Sequence, residues 1–380
     1  MTRVDVSAKL LEWACERSGL ELELLTDKFA KLPEWIEGES SPTLKQLERF
    51  AKATRTPLGY LFLPEPPAEQ IPLPDLRTVR RKPPRPSPEL LDTVYAMQHR
   101  QSWLREMLLE DGAEPLSFVG SATLSDDPQA IGTEMRRLLG LDDGWADAAT
   151  SWQQAVSELR RQIEGLGIMA VINGVVGNNT HRSLSVDEFR GFAISDPVAP
   201  LVFVNGADAK SAQMFTLAHE VAHIWLGAAA LSGFESIFPG GSDVETWCDK
   251  AAAEFLVPAR TLKQRWPDAR RADSPFEALA RQFKVSPIVA ARRALDLRLV
   301  DRTAFFTFYN AYMVREASGR PRSGGGDFYN NQNTRVGQYF AGYVIRAAME
   351  GRIGFKEAYD LTGLRGGAFQ EYAHRLGVDI

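Results

Sequence analysis

Cysteine is almost missing from this chain: there are two, Cys15 and Cys248, in 380 residues. They fall in separate expected helices, so no disulfide framework is indicated and each is expected as a reduced, buried thiol. Histidine is scarce as well, at five, which makes any pairing of imidazoles informative. No apolar run reaches the length that spans a bilayer. The opening stretch MTRVDVSAKLLEWACERSG lacks the apolar centre of a signal peptide. Together these absences lead us to expect a cytosolic protein with no membrane partner. A basic excess is also lacking, since 44 Lys and Arg face 49 Asp and Glu for a net charge of −5. That excludes a wholly basic nucleic-acid coat but leaves room for a local patch. What remains is an ordinary soluble composition, long enough for two or three domains.

Two of the five histidines lie in one stretch, Ser211 to Gly227, reading SAQMFTLAHEVAHIWLG. It contains H-E-x-x-H at His219, Glu220 and His223. Helix positions four apart share a face, so both imidazoles can reach one metal ion. Glu220 sits about 100° round from His219, where it can lie beside metal-activated water without being a ligand. Met214, Leu217, Val221 and Trp225 give the helix apolar faces, and Gly227 is a natural stop. The bland alternative is a buried helix with two hydrogen-bonded histidines; composition alone makes a chance match rare, on the order of one per cent.

A catalytic zinc site usually takes three protein ligands and keeps one position open. The third is expected downstream, in the helical segment SDVETWCDKAAAEFLVP (Ser242 to Pro258). Ser242 or Asp243 can cap it and Pro258 can end it. Glu245 is the favoured ligand. Glu254 is a rival, but nine positions place it about 180° round the same helix, so both cannot face one metal. Glu235, in the intervening loop, is a weaker rival. Asp249, one turn beyond Glu245, can accept the free N–H of a ligating histidine and so fix its tautomer.

These segments carry a resemblance. FRGFAISDPVAPLVFVNG, FTLAHEVAHIWLG and ETWCDKAAAEFLVP together resemble the ImmA/IrrE metallopeptidase family. In that family the second helix commonly reads E-x-x-[AC]-N-x-F-A, and its leading Glu, here Glu245, is the third zinc ligand. This chain has Asp249 where Asn is usual and Ala251 where Phe is usual. An E-x-x-x-D reading also occurs in thermolysin-like zinc peptidases. The stretch LPEWIEGESSPTLKQLERFAKATRTPLGYLFLPEPP resembles the XRE-type helix-turn-helix domain found fused to such peptidases, which implies DNA binding by its third helix.

The rest of the chain arranges itself around the metal helices. Residues 1–65 read as five short helices of helix-turn-helix type. Their charge balance is −2, and Glu34, Glu37 and Glu39 lie in the expected recognition piece. Acids there repel phosphate, while Lys28, Lys31 and Lys45, with Lys52, offer a small patch. Residues 66–88 form a proline-rich linker with a basic run at Arg77, Arg80, Arg81, Lys82 and Arg85, read as a solvated tether. Residues 89–300 read as a zincin-like metallopeptidase domain: helices over Glu89–Glu110, Asp127–Leu139 and Ser151–Gly165, then strands over Gly167–Asn173, Phe189–Ser195 and Leu201–Asn205. A strand edge beside the metal helix could hold an extended peptide by backbone pairing. Phe276–Leu297 reads as two helices; Arg292 and Arg293 in the second and Arg298 just beyond it could touch nucleic acid but read rather as a solvated face. Residues 301–380 read as a C-terminal helical unit, with a flexible Ser318–Asp327 loop and one helix over Asn333–Gly351. The expected fold class is α+β and mostly helical.

The function expected from this reading is a regulatory zinc endopeptidase. The resemblance implies a protein substrate, a helix-turn-helix repressor or a toxin-like partner, with operator DNA as a second partner. The competing expectation is a non-proteolytic regulator or antitoxin that binds such partners without cutting them. Either is compatible with an oligomer.

Overall fold

The computed structural model describes residues 3–69, 86–228, 230–232, 242–317 and 328–377. The basic run from Arg77 to Arg85, Glu235 and the Ser318–Asp327 loop lie outside the described residues.

Local signals shape the N-terminal stretch. Helix α1 (Ala8–Ser18) stops at Gly19, whose φ of 65° suits glycine. Helices α2 (Leu22–Lys28) and α3 (Leu32–Ile36) are short, and α4 (Leu44–Ala53) opens on a reciprocal cap between Thr43 and Gln46. A 3-10 turn, Leu58–Phe62, follows. Leu10, Leu11, Leu25, Leu32, Trp35, Leu47, Phe50 and Leu61 close one small core. This unit takes in residues as far as Tyr95, inside helix α5 (Pro88–Glu110); a second compact unit begins at Ala96.

The second unit is α+β and mostly helical, as expected. Two helices, α6 (Pro128–Leu138) and α7 (Trp152–Gly165), lead into β1 (Met169–Asn173), a hairpin of β2 (Val175–Val176) and β3 (Asn179–Ser183), then β4 (Gly191–Ile194) and β5 (Leu201–Asn205). Helix α8 (Lys210–Leu226) follows, then β6 (Ala230–Ser232) and α9 (Asp243–Leu256). The main sheet runs β1-β5-β4-β6; β1 and β5 are parallel, while β4 is antiparallel to both neighbours. Residues of β1 and β5 are buried throughout, which explains their unbroken apolar runs. Phe192 and Phe203 stack at 4.9 Å across β4 and β5. Helix α8 lies against β4 and β5, with α7 and α9 on its flanks.

The strand reading missed the hairpin and β6. Strand β3 is polar and exposed, and β6 has three residues, so neither makes a hydrophobic alternation. Four further helices, α10 (Ala259–Ala269), α11 (Pro275–Phe283), α12 (Pro287–Asp296) and α13 (Arg302–Ala317), continue the unit. Arg293 is a correction: it is 3% exposed, not solvated, because it lies on the buried Glu254 carboxylate.

The single helix expected over Asn333–Gly351 is two, α14 (Phe328–Arg335) and α15 (Gln338–Met349). Gly337 breaks them with a φ of 86°, and a Cβ there would sit 2.9 Å from Glu164 Oε1. Glu164, on α7, accepts from the Tyr339 N–H at 3.4 Å and so caps α15 from another helix. Burial pushes its carboxyl up to about 7, against the pull of Arg160 at 2.6 Å. The last helices, α16 (Phe355–Thr362) and α17 (Gly367–Arg375), are tied to the rest of the unit. Asn178 donates to the Gly363 carbonyl at 3.0 Å and accepts from Gln332 at 3.0 Å, while α14 packs on β1.

Candidate metal centre

The centre sits where α8 and α9 meet. On α8, His219, Glu220 and His223 are all buried. Helix α8 ends at Gly227, whose φ of 66° lets its N–H return to the His223 and Ile224 carbonyls. Helix α9 opens at Ser242, whose hydroxyl accepts from the backbone N–H of Glu245 at 3.3 Å. Its cap therefore also fixes the residue that reaches the histidines.

Donor atoms of three residues face one point. His219 Nε2 and His223 Nε2 are 3.1 Å apart. Glu245 Oε2 is 3.2 Å from the first and Oε1 is 3.2 Å from the second. Tetrahedral zinc with bonds of about 2.0–2.2 Å places its donors roughly 3.3 Å apart. Among the described residues this is the one cluster of metal-binding type. On the far side of the ring, His219 Nδ1 is 2.9 Å from Asp249 Oδ1. If His219 donates its Nδ1 proton to Asp249, Nε2 keeps its lone pair, and that lone pair points at an anionic carboxylate. A cation between them removes the repulsion, so the donor set fits a divalent metal.

The electrostatics without a metal agree. Burial works against a charged His219, but the Asp249 and Glu245 carboxylates outweigh it and hold its pKa well above the ordinary value. Burial lowers His223. Burial would raise Glu245, yet the two histidines hold it well below the usual carboxylate range. A proton on His219 does in part what a metal ion does better: it neutralises the acids around it.

Of the two rivals, Glu235 lies outside the described residues. Glu254 is not at the centre. It lies at the other end of α9, where it meets Arg293 and accepts from the Ala259 N–H at 3.1 Å. Arg293 also donates to the Val257 carbonyl at 3.1 Å, and Arg136 of α6 to the Glu254 carbonyl at 2.8 Å. These two cations cover the C-terminal carbonyls of α9 and complement its dipole. Asp249 lies where it was expected. Lys28, Lys31 and Lys45 are exposed in the N-terminal unit, with Lys31 held 3.7 Å from Glu34.

Residues 165–295 match the family model Peptidase_M78, the IrrE N-terminal-like domain. That span holds every residue of the metal cluster, so this part of the chain carries a metallopeptidase-family domain. Residues 336–375 match a second model, a domain of unknown function. Among curated proteins none matches the chain. Among the described residues, no helix is long and apolar enough to cross a membrane.

Two glycines around the Peptidase_M78 centre escaped notice in the sequence. A Cβ at Gly132 of α6 would meet the Ala251 carbonyl oxygen at 2.4 Å, so α6 reaches α9 only because this position is bare. A Cβ at Gly191 of β4 would meet Thr216 Cγ2 at 2.6 Å and Glu220 Oε1 at 2.7 Å. Gly191 thus sets how closely the sheet approaches the Glu220 carboxylate. An isolated glycine inside a strand pattern is the signal that pointed there.

Proposed function

We propose that the chain is a zinc-dependent endopeptidase that cuts a regulatory protein, a repressor or toxin-like partner, with an N-terminal helical unit that binds operator DNA. The observation that carries the peptidase reading is the convergence of His219, His223 and Glu245 within 3.1–3.2 Å, beside a buried Glu220. His219, His223 and Glu245 would hold the zinc, which would supply Lewis-acid polarisation of the scissile carbonyl and a nucleophilic water near neutral pH. Glu220 takes the proton from the attacking water and delivers it to the leaving amide nitrogen. Asp249 keeps His219 in the tautomer that leaves Nε2 free to ligate. A buried acid next to two histidines would be an odd expense for a pure binding module, which has no proton to move.

The deciding experiment uses zinc-loaded chain, a candidate repressor or toxin, and Glu220→Gln. The variant is expected to keep its zinc by metal analysis and to lose cleavage by at least a hundredfold. Binding of the candidate with no cleavage by either protein would overturn the peptidase reading in favour of a non-proteolytic regulator. For DNA, exposed Lys28, Lys31 and Lys45 support contact with phosphate. The chain should bind an operator fragment in a salt-dependent way, and removal of residues 1–65 should abolish it; unchanged binding after truncation would refute the assignment.

A further inference from the structure

Helix α13 is at odds with its own composition. From Thr303 to Val314 it reads TAFFTFYNAYMV, without one charged residue, and its apolar residues fall on every side of the helix. Such a helix belongs in an interior. Yet Phe305 alone is buried among residues 302–315. Its ring joins Phe276, Ala291 and Ala294 in a small satellite core, and the Phe308 ring lies 4.6 Å from that of Phe276. That is the inner face, turned toward α11 and α12. Elsewhere on the helix Phe306 is 38% exposed, Met313 37% and Val314 73%.

The next stretch of chain, Ser318 to Asp327, reads SGRPRSGGGD and holds no large apolar side chain to lay there. A strongly charged partner finds nothing to select, because recognition by charge needs an opposite charge on this side. A second copy of the chain meets neither objection. It brings the same apolar side chains, and no like charges are set against each other. The spacing suits it as well. Phe306 and Met313 stand about two turns apart on nearly one row of the helix. About a twofold axis midway between them, near Tyr309 and Asn310, that row is complementary to itself, as pairing of identical surfaces requires. The helix has 16 residues, which is about 24 Å of length. Two such faces bury on the order of 1,000 Å² together, the lower end for a specific interface.

We propose that α13 is a self-association surface on which two copies of this chain pair antiparallel, Phe306 of each against Met313 of the other. The dimer is reversible: an interface of that size, without charge pairs, holds with a dissociation constant on the order of 10 μM. It stands apart from the peptidase and DNA readings, and neither is at stake in its test.

Full-length, zinc-loaded chain is sedimented at concentrations from well below that constant to well above it. Its mass should rise from 42.2 kDa toward twice that value. Phe306→Glu puts a carboxylate at the contact and Met313→Lys an ammonium. Each alone should weaken association by about tenfold or more, the loss expected at a buried interface contact. An equal mixture of the two should associate again nearly as tightly as the parent. The twofold then sets the two new charges against each other and leaves the second contact native, so recovery separates a lost contact from a misfolded chain. Thiols check the register, since both native cysteines are buried. Phe306→Cys chain mixed with Met313→Cys chain should cross-link under mild oxidation. Either alone should not, because its two thiols lie about 10 Å apart along the helix pair, beyond disulfide reach. A chain that stays at 42.2 kDa throughout overturns the proposal, and another partner then covers α13. So does association that ignores both charges, a mixture that does not recover, or a single-cysteine chain that cross-links as readily as the mixture.

Discussion

Gly191→Ala is the smallest change that questions how the sheet and the metal helix are fitted together. One methyl is added, and the backbone at this position is open to any residue, so the effect is steric. The new carbon would lie 2.6 Å from Thr216 Cγ2, 2.7 Å from Glu220 Oε1 and 2.8 Å from the Phe203 carbonyl oxygen. The Phe203 carbonyl is backbone in a strand buried on both faces, so it cannot simply turn aside. Overpacking of this kind costs about 1–3 kcal/mol, which in a unit of this size is a drop in Tm of roughly 2–10 °C. The larger loss is expected in chemistry. A shift of the Glu220 carboxylate by an ångström takes the proton acceptor out of line, worth about a hundredfold in rate. Zinc binding should hold within a few-fold, since no ligand touches Gly191. Urea or thermal unfolding, zinc competition against a chromophoric chelator, and cleavage of the same protein substrate read the three effects separately. Thr216→Ser in the same chain removes the nearest clash and should restore part of the stability but little of the rate. A Gly191→Ala protein that melts within 1 °C of its parent and cleaves at the same rate would refute the close fit described here.

Asp249→Ala should weaken zinc binding by about 10–100-fold, because His219 loses the acceptor that sets its tautomer; Asp249→Asn keeps an oxygen there and should lose less. Equal affinity in all three proteins by zinc competition would remove Asp249 from the centre. Stability should also depend on pH through Glu164. Its carboxyl is raised from 4.5 to about 7 by burial, so the folded chain holds that proton more tightly than the unfolded one. The associated stability is fully present below about pH 4.5 and is lost as pH rises to about 7, a change of about 3 kcal/mol at one pKa unit per 1.36 kcal/mol. Glu164→Gln should flatten that part of the urea-unfolding profile, and a slope that survives the substitution would show that another group carries it.

The sequence made the metal helix legible because its information is local. His219 and His223 are brought together by helix periodicity alone, and Gly227 ends that helix through its own φ. Glu245 needed more: a cap at Ser242 and a returning helix could be read, but its approach to the histidines is a tertiary fact. Elements that lacked a local period were missed. Strand β3 is polar, and β6 is too short to alternate. The break at Gly337 is hidden because a single glycine inside a helical reading counts as one tolerated residue, until Glu164 is found at the start of α15. Arg293 was misread for a related reason. Helical spacing places a charge on a face but does not say that a buried acid from another helix is waiting there.

The place of Glu245 therefore rests on a chain of long-range contacts that the two histidines do not need. Helix α8 supplies both imidazoles from one rigid segment, so local stability of that helix is enough to keep them paired. Glu245 stays within 3.2 Å of them only while α9 keeps its place. Several features set that place: the Ser242 hydroxyl at one end, Arg136 and Arg293 on the carbonyls at the other, and Gly132 letting α6 close against the middle. None of these touches the donor atoms, yet each limits how far α9 can slide or tilt. The buried Arg293–Glu254 pair sits on the same helix as Glu245 but serves the opposite end. Cutting such a pair by removing one partner is costly, about 3–5 kcal/mol, because the other charge is left buried. The acid that rivals Glu245 in the sequence thus helps to hold the helix that carries Glu245.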